Sequence, residues 1–219
     1  MNYINQLDKP ILILGNSIFA LEVADLISEI ADCKLAGFVE NRNPERCKDT
    51  INGLPIYWVE ALKTMSADYY AVCAIGSTLR TAFIEQVANY GMRFTSIVHP
   101  LSRISTLSTI GNGSIVSVGS IIASHTTIGE HVIINRGVLI GHHTTIGDYT
   151  TIGPGANIAG LCVIGKRAYI AMGSVIIERV TIGEHSVVGA GAVVVDDVPP
   201  RVQVIGLPAK IIKENINGR

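Results

Sequence analysis

The stretch LIGHHTTIGDYTTIGPGANIAG (residues 139–160) returns an isoleucine at every sixth position: Ile140, Ile146, Ile152 and Ile158. A helix repeats its buried face about every 3.6 residues and a strand every second residue, so neither alone explains a beat of six. The beat runs on in both directions. Counted in sixes from Ile104 to Val194, all sixteen positions hold Ile or Val. The next residue is small in most repeats, among them Ser105, Gly111, Ala123, Gly129, Gly141, Gly147, Gly153, Ala159 and Gly165. Such a repeat predicts a parallel β-solenoid of triangular section. Each hexad is one short flat strand and a corner, and three hexads close a coil. The aliphatic side chain points inward and stacks on its counterpart eighteen residues along, while the small residue lets the backbone turn. The run makes about five coils, and each buried aliphatic contributes roughly 1.5–3 kcal/mol.

The first hundred residues follow a different rhythm. PILILG (10–15), KLAGFVE (34–40) and YYAVCAIG (69–76) read as strands, and RFTSIVHP (93–100) as a short strand closing the unit. Between them, SIFALEVADLISEI (17–30) has helical spacing at Ile18, Leu21, Leu26 and Ile30, with Ser17 as N-cap, and STLRTAFIEQVANYG (77–91) is amphipathic. Strand–helix–strand alternation predicts a small parallel, Rossmann-like sheet with helices on its faces. Ligands of such sheets sit beyond the C-terminal strand ends, which here carry Gly15, Glu40 and Gly76. The expected organisation is therefore an α/β domain over 1–100, a β-helix over 101–198, and a C-terminal loop and short helix over 199–219. In that last part, Pro199 and Pro200 interrupt pairing and PAKIIKENI supplies the helix.

Composition narrows the function classes. Aromatic residues make up 5% against 48% hydrophobic, so the core is built from small aliphatics. The formal charge is −1 with no long run of one sign, which gives no footprint for nucleic acid. The four cysteines are scattered without C-x-x-C spacing, as expected of a reducing cytoplasm. No apolar run approaches the roughly 20 residues of a membrane span, and no signal peptide is expected.

Eighteen-residue stacking predicts neighbours. His142 lies between Ser124 and Gly160, and His143 between His125 and Leu161. His125 and His143 are then one strand spacing apart, roughly 4.8 Å between backbones. His131, Tyr149, Arg167 and His185 form another column, in which both histidines read as solvated corner residues. His142 occupies an outward-pointing place, shared by Asp148, Pro154, Gly160 and Lys166, so it is not a packed core histidine. Periodicity alone leaves it open between a solvated corner and a catalytic group. Cys162 occupies an inward place and reads as packing, not as a nucleophile.

The N-terminal unit, IVHP (97–100), IINRGVLIGHHTTIGDY (133–149) and GLPAK (206–210) together resemble the bacterial sugar acetyltransferases related to the sialic acid O-acetyltransferases and the bacillosamine-pathway N-acetyltransferases. The resemblance covers nearly the whole chain. It implies a left-handed β-helix, a homotrimer, and an acetyl-coenzyme A site in the groove between two subunits, with no metal. The reaction it implies is N-acetylation of an amino sugar, nucleotide-linked, by direct attack, in surface polysaccharide or glycan synthesis. His142 falls on the family's general base, Asn135 on an acceptor-orienting residue, and Gly160 on the glycine whose N–H meets the acetyl carbonyl. Met172, Ala190 and Lys210 fall along the coenzyme groove. Gly15, Ser17, Glu40, Asn41, Gly76 and Arg80 fall on sugar-nucleotide contacts.

Two places depart from the family pattern. His143 stands where a carboxylate usually follows the base, so an imidazole has to orient it without adding charge. The first loop, GNSIFA (15–20), has Ile18 and Phe19 where a glycine and a histidine are usual, and bulky Ile18 hinders backbone approach to a phosphate. O-acetylation of a sugar hydroxyl is the near alternative. The readings from other classes are a zinc site on His125 and His143 with a third ligand from another subunit, and a non-catalytic scaffold.

Overall fold

A computed structural model describes residues 7–219. The N-terminal part is a six-stranded sheet. Its strands are β1 (Ile11–Leu14), β2 (Leu35–Glu40), β3 (Thr50–Ile51), β4 (Leu54–Trp58), β5 (Tyr70–Cys73) and β6 (Arg93–Phe94), in the order β3-β4-β2-β1-β5-β6. All pairs are parallel except the β3–β4 hairpin. The four residues of β1 are fully buried, as a central parallel strand covered on both sides must be.

Helix α1 (Ile18–Ser28) buries Ala20, Val23, Ala24, Leu26 and Ile27. The expected inward stripe is therefore turned: Ile18, its first residue, is 86% exposed, and Leu21 is exposed as well. Ser17 does occupy the N-cap but makes no side-chain capping bond. The segment read as one closing strand, 93–100, divides. Arg93–Phe94 ends the α/β sheet, while Ile97–Val98 pairs with Ile115–Val116 and begins the solenoid one hexad before Ile104.

The solenoid has three faces. The first stacks Ile97–Val98, Ile115–Val116, Ile133–Ile134, Thr151–Ile152, Tyr169–Ile170 and Val187–Val188. The second runs from Arg103–Ile104 to Val193–Val194, and the third from Thr109–Ile110 to Thr181–Ile182. From Ile97 to Val194 each coil-to-coil strand pair is parallel and eighteen residues apart, as Ile133↔Thr151, Leu139↔Asn157 and Thr145↔Val163 illustrate. The inward aliphatics form one continuous core. On the first face the outward Ile97, Ile115 and Ile133 join the core of α1 and β1, so the α/β unit covers that side.

The small residue after each aliphatic serves close approach between coils. A Cβ on Gly141 would stand 2.4 Å from the Gly160 nitrogen. The turn itself falls two residues later, in the left-handed region, at φ 57° for His125 and 55° for His143. Asn, Asp and His are the side chains that reach this region most readily after glycine.

The expected C-terminal helix is instead a hairpin. Gln203–Gly206 extends the first face beside Val187–Val188, and Ala209–Lys213 pairs antiparallel to it. Buried Val202 and Val204 continue the inward column, and the added strands cover an otherwise open sheet edge. The last residues then cross back to the α/β unit: Gly218 N–H donates to the His185 carbonyl, and Thr78 N–H donates to the Arg219 carbonyl at 2.6 Å. Among the described residues no helix is long and apolar enough to cross a membrane.

Candidate active site

The corner between the second and third faces carries Gly141, His142 and His143. An inward ladder of small side chains fixes it. Thr126 Oγ1 donates to the Gly141 carbonyl at 2.9 Å, and Thr144 Oγ1 to the Ala159 carbonyl at 3.1 Å. These carbonyls immediately precede His142 and Gly160, so the ladder sets the height of both. Cys162 belongs to the same inward column. Its thiol donates to the Ile177 carbonyl at 3.1 Å, and burial raises its pKa, which suits packing and not nucleophilic attack.

His142 and His143 are both exposed. The Leu161 N–H donates to the His142 carbonyl at 2.8 Å, which seats Gly160 over the His142 side chain. A Cβ built on Gly160 would lie 2.9 Å from His142 Nε2 and 3.0 Å from Cε1. The other ring nitrogen, Nδ1, is 3.1 Å from Nδ1 of His143. His143 in turn stacks on His125, with ring centroids 4.6 Å apart. Nε2 therefore faces the glycine above while Nδ1 is held by a neighbour, the arrangement of an oriented acid–base imidazole.

The remaining expected residues gather elsewhere. Asn135 stands at the corner between the first and second faces and donates from Nδ2 to the Ile152 carbonyl at 3.1 Å. It lines a cleft of about 360 Å³ between the coil and the α/β unit, together with Phe19, Gly76, Ser77, Tyr169 and Arg219. Met172, 61% exposed, and exposed Ala190 lie further up this same corner, one place beyond Asn135's column, above Arg136 and Pro154. Lys210 lies further up, beside Asp196 and Asp197 in a groove at the end of the coil. Within one chain, then, Asn135, Met172 and Ala190 occupy one corner of the prism, and His142 and Gly160 the next.

In the α/β unit, Gly15 (φ 105°) packs against Ile75, next to Gly76. Exposed Ser17 and half-buried Asn41 flank it at the strand ends. Two of the expected sugar-nucleotide contacts, Arg80 and Glu40, are buried and bonded within the chain. Arg80 is 3% exposed, and its guanidinium donates to the carbonyls of Ser77, His131 and Thr150 and to Thr151 Oγ1. Burial lowers its pKa to about 10, so it stays charged and bolts the α/β unit to the coil. Glu40 is also buried. Its Oε1 accepts the N–H groups of Asn41 and Arg42, and its Oε2 accepts Asn16 Nδ2 at 3.0 Å. Burial alone would raise its pKa, but the Arg42 N–H, the Asn16 amide and the Asn41 and Asn43 N–H groups outweigh it and the net shift is downward. Asn16, the buried partner that shapes this loop, was not anticipated.

His131 and His185 are buried, not solvated, because the chain itself covers their corner. Phe94 meets His131 edge-on at 4.6 Å, Tyr149 stacks on it at 5.3 Å, and the C-terminal residues lie against His185. Burial and the neighbouring Arg80 lower the His131 pKa to about 4. Among the described residues, no group of three or more His, Cys, Asp or Glu side chains is placed to hold a metal ion.

The chain is a hexapeptide-repeat β-solenoid with an outward histidine corner, joined to a small α/β unit. The family description "Bacterial transferase hexapeptide (six repeats)" matches residues 125–160 and 161–196. The whole chain, left-handed coil and α/β unit together, has the architecture of bacterial sugar acetyltransferases. It is similar to a histidine-to-asparagine variant of perosamine N-acetyltransferase from Caulobacter crescentus, solved with CoA and GDP-perosamine. The identity is 28%, the match covers 95% of this chain and 99% of that one, and the TM-score is 0.88. The acetyltransferase domain of PglB from Neisseria gonorrhoeae FA1090, solved with acetyl coenzyme A, is 25% identical over 94% and 100% of the two chains, with TM-score 0.87. WeeI from Acinetobacter baumannii AYE is 28% identical over 93% and 100%, with TM-score 0.86. None of the curated proteins matches the chain.

Proposed function

We propose that the protein transfers the acetyl group of acetyl-coenzyme A to the amine of a nucleotide-linked amino sugar, in the cytoplasm, toward a surface polysaccharide or glycan. The observation that carries this reading is the His142–Gly160 pair: an exposed imidazole whose Nε2 lies under a glycine backbone. It sits within an architecture shared almost end to end with a GDP-perosamine-bound N-acetyltransferase. The neutral amine nitrogen attacks the thioester carbon. His142 Nε2 takes the amine proton, the C–S bond breaks, and the proton passes to the departing thiolate. The Gly160 N–H receives the developing oxyanion.

The site is completed by a second copy of the chain. The second face presents exposed Ile121, Leu139 and Val175, whereas the third presents mostly threonines, Thr109, Thr127, Thr145 and Thr181. Three prisms that turn their second faces to a common axis form a closed homotrimer. In that packing the Asn135 corner of each meets the His142 corner of the next, at the level of one coil. The cleft holding Asn135 and Gly76 then delivers the sugar, and the line through Met172 and Ala190 carries the coenzyme between subunits.

The test is a panel of nucleotide-linked sugars with acetyl-coenzyme A, following free thiol release. Turnover with amino sugars and none with their hydroxyl counterparts is expected. Turnover with hydroxyl-only sugars makes the enzyme an O-acetyltransferase, and none with any sugar removes the reading.

A further inference from the structure

We propose that His125 is a positioning residue for the acetyl transfer, acting through His143; this rests on the reading of His142 as the base. His125 and His143 hold the left-handed place of the same corner in successive coils. Their rings lie nearly parallel, 11° between planes with centroids 4.6 Å apart. The stacked His143 ring stands edge-on to His142, at 86°, and this is what brings the two Nδ1 atoms to 3.1 Å.

Only one proton fits between those nitrogens. For His142 to accept a proton at Nε2, its Nδ1 must carry hydrogen and donate. His143 Nδ1 must then be the acceptor, with its own hydrogen on Nε2. Once Nε2 has taken the amine proton, the same bond holds the resulting imidazolium. A carboxylate at this place needs no support, because either oxygen accepts. An imidazole has one accepting nitrogen, and a half-turn of the ring replaces it with a C–H. On an exposed corner something must hold the plane of His143, and the His125 ring beneath it does so.

Three variants test this, with acetyl-coenzyme A and whichever nucleotide-linked amino sugar the panel above finds turned over. His125→Asn keeps a side chain suited to left-handed backbone but removes the ring. It should lower kcat about tenfold with both KM values unchanged. His125→Phe keeps the flat surface and should retain kcat. Combining His125→Asn with His143→Glu should abolish the dependence, leaving kcat equal to that of His143→Glu alone. An unchanged kcat in His125→Asn overturns the proposal, and so does an equal loss in the His143→Glu background, which marks a purely structural role. His142→Ala is measured in parallel. If it keeps turnover, the general-base reading fails first. If it loses turnover while His125→Asn does not, only the positioning role fails.

Discussion

Gly160 lies over the His142 ring so closely that its missing Cβ would stand 2.9 Å from Nε2. The atom a Cβ would meet is the far end of an exposed side chain, which can swing aside into solvent. Gly160→Ala should therefore leave the coil intact, changing stability by less than about 1 kcal/mol. The displaced imidazole no longer reaches the acceptor, and misplacement on the ångström scale lowers transfer by about 10²-fold. Thermal unfolding and turnover, measured on one preparation, separate the effects. Wild-type turnover in this variant would remove the glycine–histidine pair from the chemistry.

Arg80 makes the opposite prediction. Its guanidinium serves buried carbonyls of both units, so Arg80→Met strands acceptors at His131 and Thr150. A loss of about 3 kcal/mol in urea unfolding is expected, with KM for the sugar unchanged in the folded protein at low temperature. An intact unfolding midpoint with a raised sugar KM would assign Arg80 to the substrate instead.

Arg80 also shows where reading the sequence stops. The six-residue beat runs unbroken because each inward aliphatic is chosen by its own column, so the coil, its eighteen-residue register and the His142–Gly160 and His125–His143 stacks follow from counting. What covers a corner from outside leaves no such trace. The burial of His131 depends on Phe94, and that of His185 on the chain's last residues, each distant in sequence. The hairpin at 203–213 was hidden for a similar reason. PAKIIKENI is acceptable as a helix, and only the open edge at Val187–Val188 selects a strand.

The buried His131 makes stability depend on pH. Its folded-state pKa is about 4, below the roughly 6.5 of an exposed imidazole. The unfolded chain therefore binds the proton first as pH falls. The contribution is complete above about pH 6.5 and is lost progressively down to about pH 4, amounting to about 3 kcal/mol. His131→Asn tolerates the left-handed backbone and cannot titrate. Urea midpoints of the two proteins across this window should converge toward acid, because only the wild type carries this slope. Parallel curves would show that His131 is protonated when folded.

Because Asn135 and His142 occupy different corners of one prism, the proposed site uses one residue from each of two subunits. Asn135→Ala and His142→Ala should each inactivate the protein when all subunits carry them. In the proposed homotrimer, unfolding and refolding an equal mixture leaves some interfaces that join an intact Asn135 to an intact His142. Random assortment restores about a quarter of wild-type activity. A site contained in a single chain restores none, since every chain in the mixture lacks one residue. Leu139→Glu gives the companion measurement: a charge on the apolar second face should shift the mass in light scattering from three chains to one and abolish turnover. If that variant is monomeric yet fully active, the site needs no partner.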